Sequence, residues 1–334
     1  MKRFLALFLL IAIHEVGYSQ DPHYSQFFAS PLTLNPALTG KFNGAYRIAG
    51  NHRNQWPSIN NAFITNTASI DFHILQNKIS ANDAWGVGFT FLNDNSANSA
   101  VKFNYASFST AYHKGLDEDG NNQLSIGIQA TYANMNINTL NLKFEDQLTT
   151  LGFTGTTSEV FNNSTLQSSY FDINAGVLFN GSTGENNNYY AGISMYHINK
   201  PYQKFTGTEY SLNARITAHF GGYYMFNDNF GFHLSGLHSM QGRSNETVIG
   251  GAAEFIANPD MRNRVSLYAG TWLRFNDAFI PYIGIEYSNT RLGISYDVNT
   301  SSLQTASASR GGLEISLIYN HPTNNDRPIA CPKF

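Results

Sequence analysis

From about Ala45 to Tyr319 apolar and polar residues alternate with a period of two, and no stretch sustains a helical period. Leu124, Ile126, Ile128, Ala130 and Tyr132 share one face of a segment whose other face carries Gln123, Ser125, Gln129 and Thr131. The same split separates Phe171, Ile173, Ala175, Val177 and Phe179 from Asp172 and Asn174. It also separates Leu212, Ala214, Ile216, Ala218 and Phe220 from Asn213, Arg215, Thr217 and His219, and Leu292, Ile294, Tyr296 and Val298 from Arg291, Ser295 and Asp297. One polar face suits either a soluble antiparallel sheet or a barrel with lipid outside and water inside. Segment length favours the barrel, because about ten residues span a bilayer at the usual tilt, whereas soluble strands are commonly shorter. Arg215, His219, Arg274 and Glu286 stand mid-segment, where only a wet lumen accommodates them.

The pattern predicts an all-β chain folded as a single transmembrane antiparallel β-barrel of about fourteen strands. These begin near residues 45, 62, 84, 102, 123, 169, 189, 211, 230, 247, 263, 278, 290 and 310. An even count suits a closed bacterial barrel with short periplasmic turns and long outer loops. The longest connection, about 136–168, then falls on the outer side with 199–210 and 299–309.

Outside the predicted barrel at 45–319 lie three segments. Lys2 and Arg3 precede an apolar run from Phe4 to Ile13, and Gly17 and Ser19 follow. This is the layout of a secretory signal peptide over 1–19, too short in its apolar part for a spanning helix. Residues 20–44, rich in Phe, Pro and Asn, read as an N-terminal periplasmic arm or plug, and 320–334 as a periplasmic tail. Charged residues make up 13% of the chain and aromatic residues 14%. Since about a quarter of a soluble protein is charged, this balance points to outer-membrane lipid as the surrounding medium. Without Lys2, Arg3 and Glu15, 18 basic and 22 acidic residues remain, a net charge of −4 that suggests no nucleic-acid partner.

Motifs for chemistry are lacking. The sequence has no GxSxG, no phosphate-binding glycine loop and no HExxH. His233 and His238 are five apart and point to opposite faces of a strand. Asp117, Glu118 and Asp119 before Gly120 do not match calcium-loop spacing, and Glu145 with Asp146 reads as loop polarity. The reading is a non-enzymatic chain without catalytic residues, cofactor or metal. Trp56, Trp85, Trp272, Tyr189, Tyr190, Tyr223, Tyr224 and Tyr282 lie near strand ends, as girdle aromatics do. Cys331, the sole cysteine, is unpaired. It is either an inert thiol or part of a terminus, ending at Phe334, that docks onto a partner, with a mixed disulfide as one form of that contact.

The stretch QDPHYSQFFASPLTLNPALTG followed by NHRNQWPSI, and at the other end ISYDVNTSSL, GGLEISLIY and the terminal CPKF, resemble the PorP/SprF family of type IX secretion system outer-membrane proteins of Bacteroidetes. The resemblance implies a barrel that works by binding. Its partners would be other secretion-system proteins, or a large surface protein such as a gliding adhesin that it helps secrete or anchor. It makes Tyr24, Phe27, Phe28, Leu34, Asn35, Pro36 and Gly40 of the arm, and Arg53, Gln55 and Trp56, candidate partner surfaces. Each also has an ordinary structural reading as turn, plug or girdle. A general porin or small-solute channel is the alternative that polar inward residues alone would permit.

Overall fold

In the computed structural model the described residues are 21–322, save 60, 61, 77, 162, 185, 186, 206, 207 and 259–263. Fourteen antiparallel strands close into one barrel. They are β1 (Tyr46–Gln55), β2 (Phe63–Ile74), β3 (Ala84–Ser96), β4 (Val101–Gly115) and β5 (Asn122–Asn138). Next come β6 (Thr165–Gly184), β7 (Asn187–Tyr196), β8 (Arg215–Asn227), β9 (Phe230–Gln241) and β10 (Ser244–Asn258). The last four are β11 (Val265–Arg274), β12 (Ala278–Tyr287), β13 (Thr290–Asn299) and β14 (Arg310–His321). Closure runs from Tyr46 opposite His321 to Gln55 opposite Gly312, so the wall has no open seam. The long connections 139–164, 197–214 and 300–309 share one end. The two-residue turns 228–229 and 288–289 lie at the other, with Tyr46 and His321.

Alternation decides which side chains meet lipid. Ile126 and Ile128 are 59% and 58% exposed, whereas their neighbours Ser125 and Gln129 are buried. One outward row, in direct register across six strands, reads Gly50, Ala68, Phe91, Ala106, Tyr132 and Phe171. Two residues nearer the long-loop end the next row reads His52, Asn66, Asn93, Asn104, Asn134 and Ser169. The change from apolar to amide within one step marks the edge of the lipid-facing band on this part of the wall.

The aromatic reading needs correction. Trp272, Tyr190, Tyr223 and Tyr282 face the lumen and are buried, while Tyr189 and Tyr224 face outward. Adjacent strand residues point to opposite faces, so Tyr189 and Tyr190, or Tyr223 and Tyr224, cannot both be girdle. The inward four have a purpose: the lumen is filled.

Candidate functional site

Residues 21–45 lie inside the barrel rather than projecting from it. Three short turns, Phe27–Ala29, Pro31–Leu34 and Pro36–Leu38, give the arm its compact form. Pro31 and Pro36 open the second and third turns, where their missing N–H costs nothing. The Asn35 side chain accepts the Ala37 N–H at 2.8 Å and so caps the last turn. The arm starts at the long-loop end, where Asp21 meets Gln241, His197 and Arg215. It crosses the whole lumen to the short-turn end, where β1 begins.

At the long-loop end the arm is clamped by charge. The Ser25 and Gln26 N–H groups donate to the Glu314 carboxylate at 2.8 and 2.9 Å. The Ser25 hydroxyl donates to Asp297 at 2.7 Å and accepts from Arg53 and Arg274. Arg53 pairs with Asp297 at 2.8 Å and Glu314 at 3.1 Å, and Arg274 pairs with Asp297 at 2.9 Å. All four charged groups are buried. Such a cluster is stable only because each member is paired, and it contributes geometric definition more than net stability.

Beside it His197 stands between two carboxylates, Nε2 2.8 Å from Asp21 and Nδ1 2.9 Å from Asp172. A ring that faces carboxylate oxygen from both nitrogens is satisfied on both sides only as the imidazolium. Burial alone would lower the His197 pKa, but Asp21 and Asp172 raise it to about 9. Burial likewise works against ionised Asp21, yet Arg215 and His197 hold its carboxyl well below the usual range. His23, 3.1 Å from Glu246, goes the other way: burial, with Arg274 and Arg53 nearby, outweighs Glu246 and lowers its pKa.

Deeper in, charge gives way to fit. Phe28 stacks on Trp272 at 4.8 Å and meets Tyr282 edge-on at 5.5 Å. The arm has no strand partner, so its carbonyls need side-chain donors. Gln129 and Tyr196 donate to the Leu32 carbonyl, Ser194 donates to that of Leu34, and His113 and His73 approach those of Thr39 and Gly40. The wall makes room with absent side chains. A Cβ on Gly127 would collide with the Pro36 and Ala37 backbone, one on Gly176 with the Asn35 amide, and one on Gly86 would come within 2.6 Å of the Gly40 Cα. At the short-turn end Arg47 grips Asp71 through Nε at 3.0 Å and a terminal nitrogen at 2.7 Å. Below this the lumen opens into a vestibule of about 900 Å³, lined in part by Arg264, Arg291, Glu254, Glu286 and Lys41.

Of the residues singled out in the sequence, Tyr24, Phe27, Phe28, Leu34, Asn35, Pro36 and Arg53 are buried and engaged inside the barrel. Tyr24 bonds to Thr67, and Asn35 donates to the Val177 carbonyl at 3.1 Å. Gln55 and Trp56 sit half-buried at the long-loop rim, where Trp56 adopts φ 53° and packs edge-on against Phe63 at 5.7 Å. Cys331 and Phe334 lie outside the described residues. Asp21, His197, Asp297 and Glu314 were not singled out as site residues, although alternation alone puts Asp297 on a lumen face. Among the described residues no three His, Cys, Asp or Glu side chains converge as metal ligands do.

A closed fourteen-strand antiparallel barrel, apolar outside and polar within, defines an outer-membrane β-barrel protein. Solved barrels share this architecture. The CymD monoaromatic hydrocarbon channel superposes with a TM-score of 0.50 at 10% identity, covering 89% of this chain and 94% of that one. A Pseudomonas aeruginosa FadL homologue gives 0.49 at 9% identity, covering 86% and 92%, and the Ralstonia pickettii toluene transporter TbuX gives 0.45 at 11%, covering 88% and 94%. At 10% identity the likeness to CymD is one of fold. No curated protein sequence matches the chain significantly. The family is nevertheless defined: residues 16–319 match the model for the type IX secretion system membrane protein PorP/SprF, and the chain belongs to that family.

Proposed function

We propose that this barrel is a non-enzymatic binding component of the type IX secretion system in the outer membrane. In this reading it holds another component of the apparatus, or helps secrete or anchor a large surface protein such as a gliding adhesin. The observation that carries the reading is the arm: Leu32, Ala37 and Leu38 are at most 1% exposed in the middle of the lumen. A barrel filled at its centre by its own chain is poorly suited to passing solutes, and what it offers a partner lies at its two mouths. Membership of a secretion-system membrane family supports partners drawn from that system.

Planar-bilayer recording of purified protein tests this. The intact protein is expected to show no large steady conductance, and a variant lacking residues 21–45 to conduct. Outer-membrane pull-downs of the intact protein are expected to recover a type IX component or a large surface protein. A large steady conductance from the intact barrel with no such partner would establish the porin reading instead.

A further inference from the structure

The wall is uneven at the long-loop end. β6 is 20 residues long and β5 is 17, whereas β7 has 10. β6 pairs with β5 along Thr165–Gly181, but β7 reaches only from Ala175 onward. The stretch of β6 beyond Ala175 therefore has a strand on one side and none on the other. The chain leaving β7 covers its first part: Ile198 N–H donates to the Ile173 carbonyl, and the Asn199 side chain accepts the Ile173 N–H and donates to the Phe171 carbonyl. There the cover ends. Among the described residues no hydrogen bond reaches the backbone N–H and carbonyl of Gln167 and Ser169 on that side, or the Phe171 N–H. The nearby strand Tyr202–Phe205 lies beside the lumen-facing Ser168 instead, whose hydroxyl accepts the Lys204 N–H at 3.1 Å.

An unpaired row of alternating donors and acceptors is a template for another strand, and exposed edges are usually blunted by charge, proline or a bulge. Thr165, Gln167, Ser169 and Phe171, whose backbones point to the open side, include neither charge nor proline, and the register to β5 is unbroken. The position also lies clear of lipid. Ser169 ends the amide row His52, Asn66, Asn93, Asn104 and Asn134, and Gln167 ends the row beyond it with Asn95, Lys102 and Asn136. The groups of Gln167 and Ser169 thus face water at the long-loop mouth, and the Phe171 N–H lies level with the last apolar row.

We infer that the edge of β6 from Thr165 to Phe171 is a docking site for one extended segment of a partner protein at the cell surface, which adds to the barrel wall as an extra strand. Only an extended backbone supplies the complementary spacing of donors and acceptors. The partner's outward side chains would continue the amide rows and are polar, while its inward ones pack beside Ser168 and Tyr170 at the mouth and are small or aromatic. A second copy of this chain is the poorer fit. Antiparallel pairing of two β6 edges would turn one barrel upside down in the membrane, and parallel pairing would run the lumen face of one wall into the lipid face of the other.

This inference rests on the binding reading, and the test separates the two. In the purified full-length protein, amides 167 and 169 are expected to exchange hydrogen at least a hundredfold faster than amides 168 and 170, which pair with β5. Equal protection would overturn the open edge itself. In cells, a photo-crosslinking residue at position 165 is expected to join the barrel to an extended segment of one surface or secretion protein. Gln167→Pro, which deletes an edge donor and no β5 bond, is expected to lower that yield at least tenfold while the barrel still assembles. If Gln167→Pro does not assemble, the exchange rates of the unmodified protein, free and with the crosslinked partner bound, decide: protection of amides 167 and 169 must rise at least tenfold. A partner still crosslinked at full yield to Gln167→Pro would overturn the edge but leave the binding barrel intact. Adducts only to a second copy would overturn the partner class, and the absence of any partner from the unmodified barrel would remove both readings.

Discussion

Between Asp21 and Gln26 the arm meets His197, Arg215, Glu246, Asp297 and Glu314, whereas between Leu32 and Ala37 it meets amides, hydroxyls, an imidazole and bare glycine backbone. The two stretches share one lumen, yet their attachments respond to different perturbations. The charged end depends on every ion keeping its partner, so its weakness is a single truncation or a change of pH. The neutral end depends on volume, so its weakness is an added carbon. A plug built both ways is not released by any one of these changes alone.

The largest expected effect is at the charged end. Arg53→Ala leaves Asp297 and Glu314 buried without their shared cation, and loss of one partner from such a cluster costs about 3–5 kcal/mol. A lower midpoint for denaturant unfolding in lipid vesicles, together with faster proteolysis of the arm, would register it. A shift no larger than that of an exposed arginine variant such as Arg243→Ala would show that water replaces the guanidinium.

Gly127→Val attacks the neutral end. Overpacking of this kind costs about 1–3 kcal/mol, and here the added methyl groups meet the Pro36 and Ala37 backbone. The variant is expected to keep the Asp21 clamp but to show increased hydrogen exchange at residues 35–40, measured by mass spectrometry. Uniform loosening from residue 21 onward would mean that the arm moves as one body and that the two ends are not separable.

The smallest effect is that of pH. His197 has its folded pKa raised from 6.5 to about 9, so its contribution is complete below pH 6.5 and is lost as pH rises through about 9. Asp21 is held below its ordinary 3.8, so its contribution is present above that value and is lost as pH falls through the lowered one. With the intrinsic rise of amide exchange divided out, protection of residues 21–24 is therefore expected to be greatest near pH 6.5, because the lowered pKa of His23 costs stability below that value. It is expected to fall toward about pH 9.5 while that of residues 35–40 holds over the same alkaline range. His197→Gln should remove the alkaline limb.

The sequence made the barrel legible because alternation survives wherever one face meets lipid. Strand starts expected at 84, 230, 278, 290 and 310 are where the structure has them. The largest offsets have physical causes. β6 begins at Thr165 rather than 169 because above the lipid its outward residues are Thr, Gln and Ser, and both faces look alike. β8 begins at Arg215 rather than 211 because Leu212 and Ala214 continue the alternation while residues 208–211 pair instead with 202–205. The arm was legible in composition but not in path. Nothing in the run of Phe, Leu and Pro says that it crosses the lumen from the far end, since contacts that place it there, such as Ser25 with Glu314 and Gln26 with Ser316, join residues 289 and 290 positions apart. Trp272 was misread because position near a strand end was weighed above its face, which it shares with Arg274.

The threaded arm also constrains how the molecule can be made. Its start lies at one mouth and its continuation into β1 at the other, so the ring closed between β1 and β14 encircles a chain that passes right through it. A finished ring would have to admit that chain past Gly86, Gly127 and Gly176, where not even one carbon fits. A wall that closes last, around an arm already docked, needs no such passage, and that closure joins the strands farthest apart in the chain, where the loop-closure cost is largest.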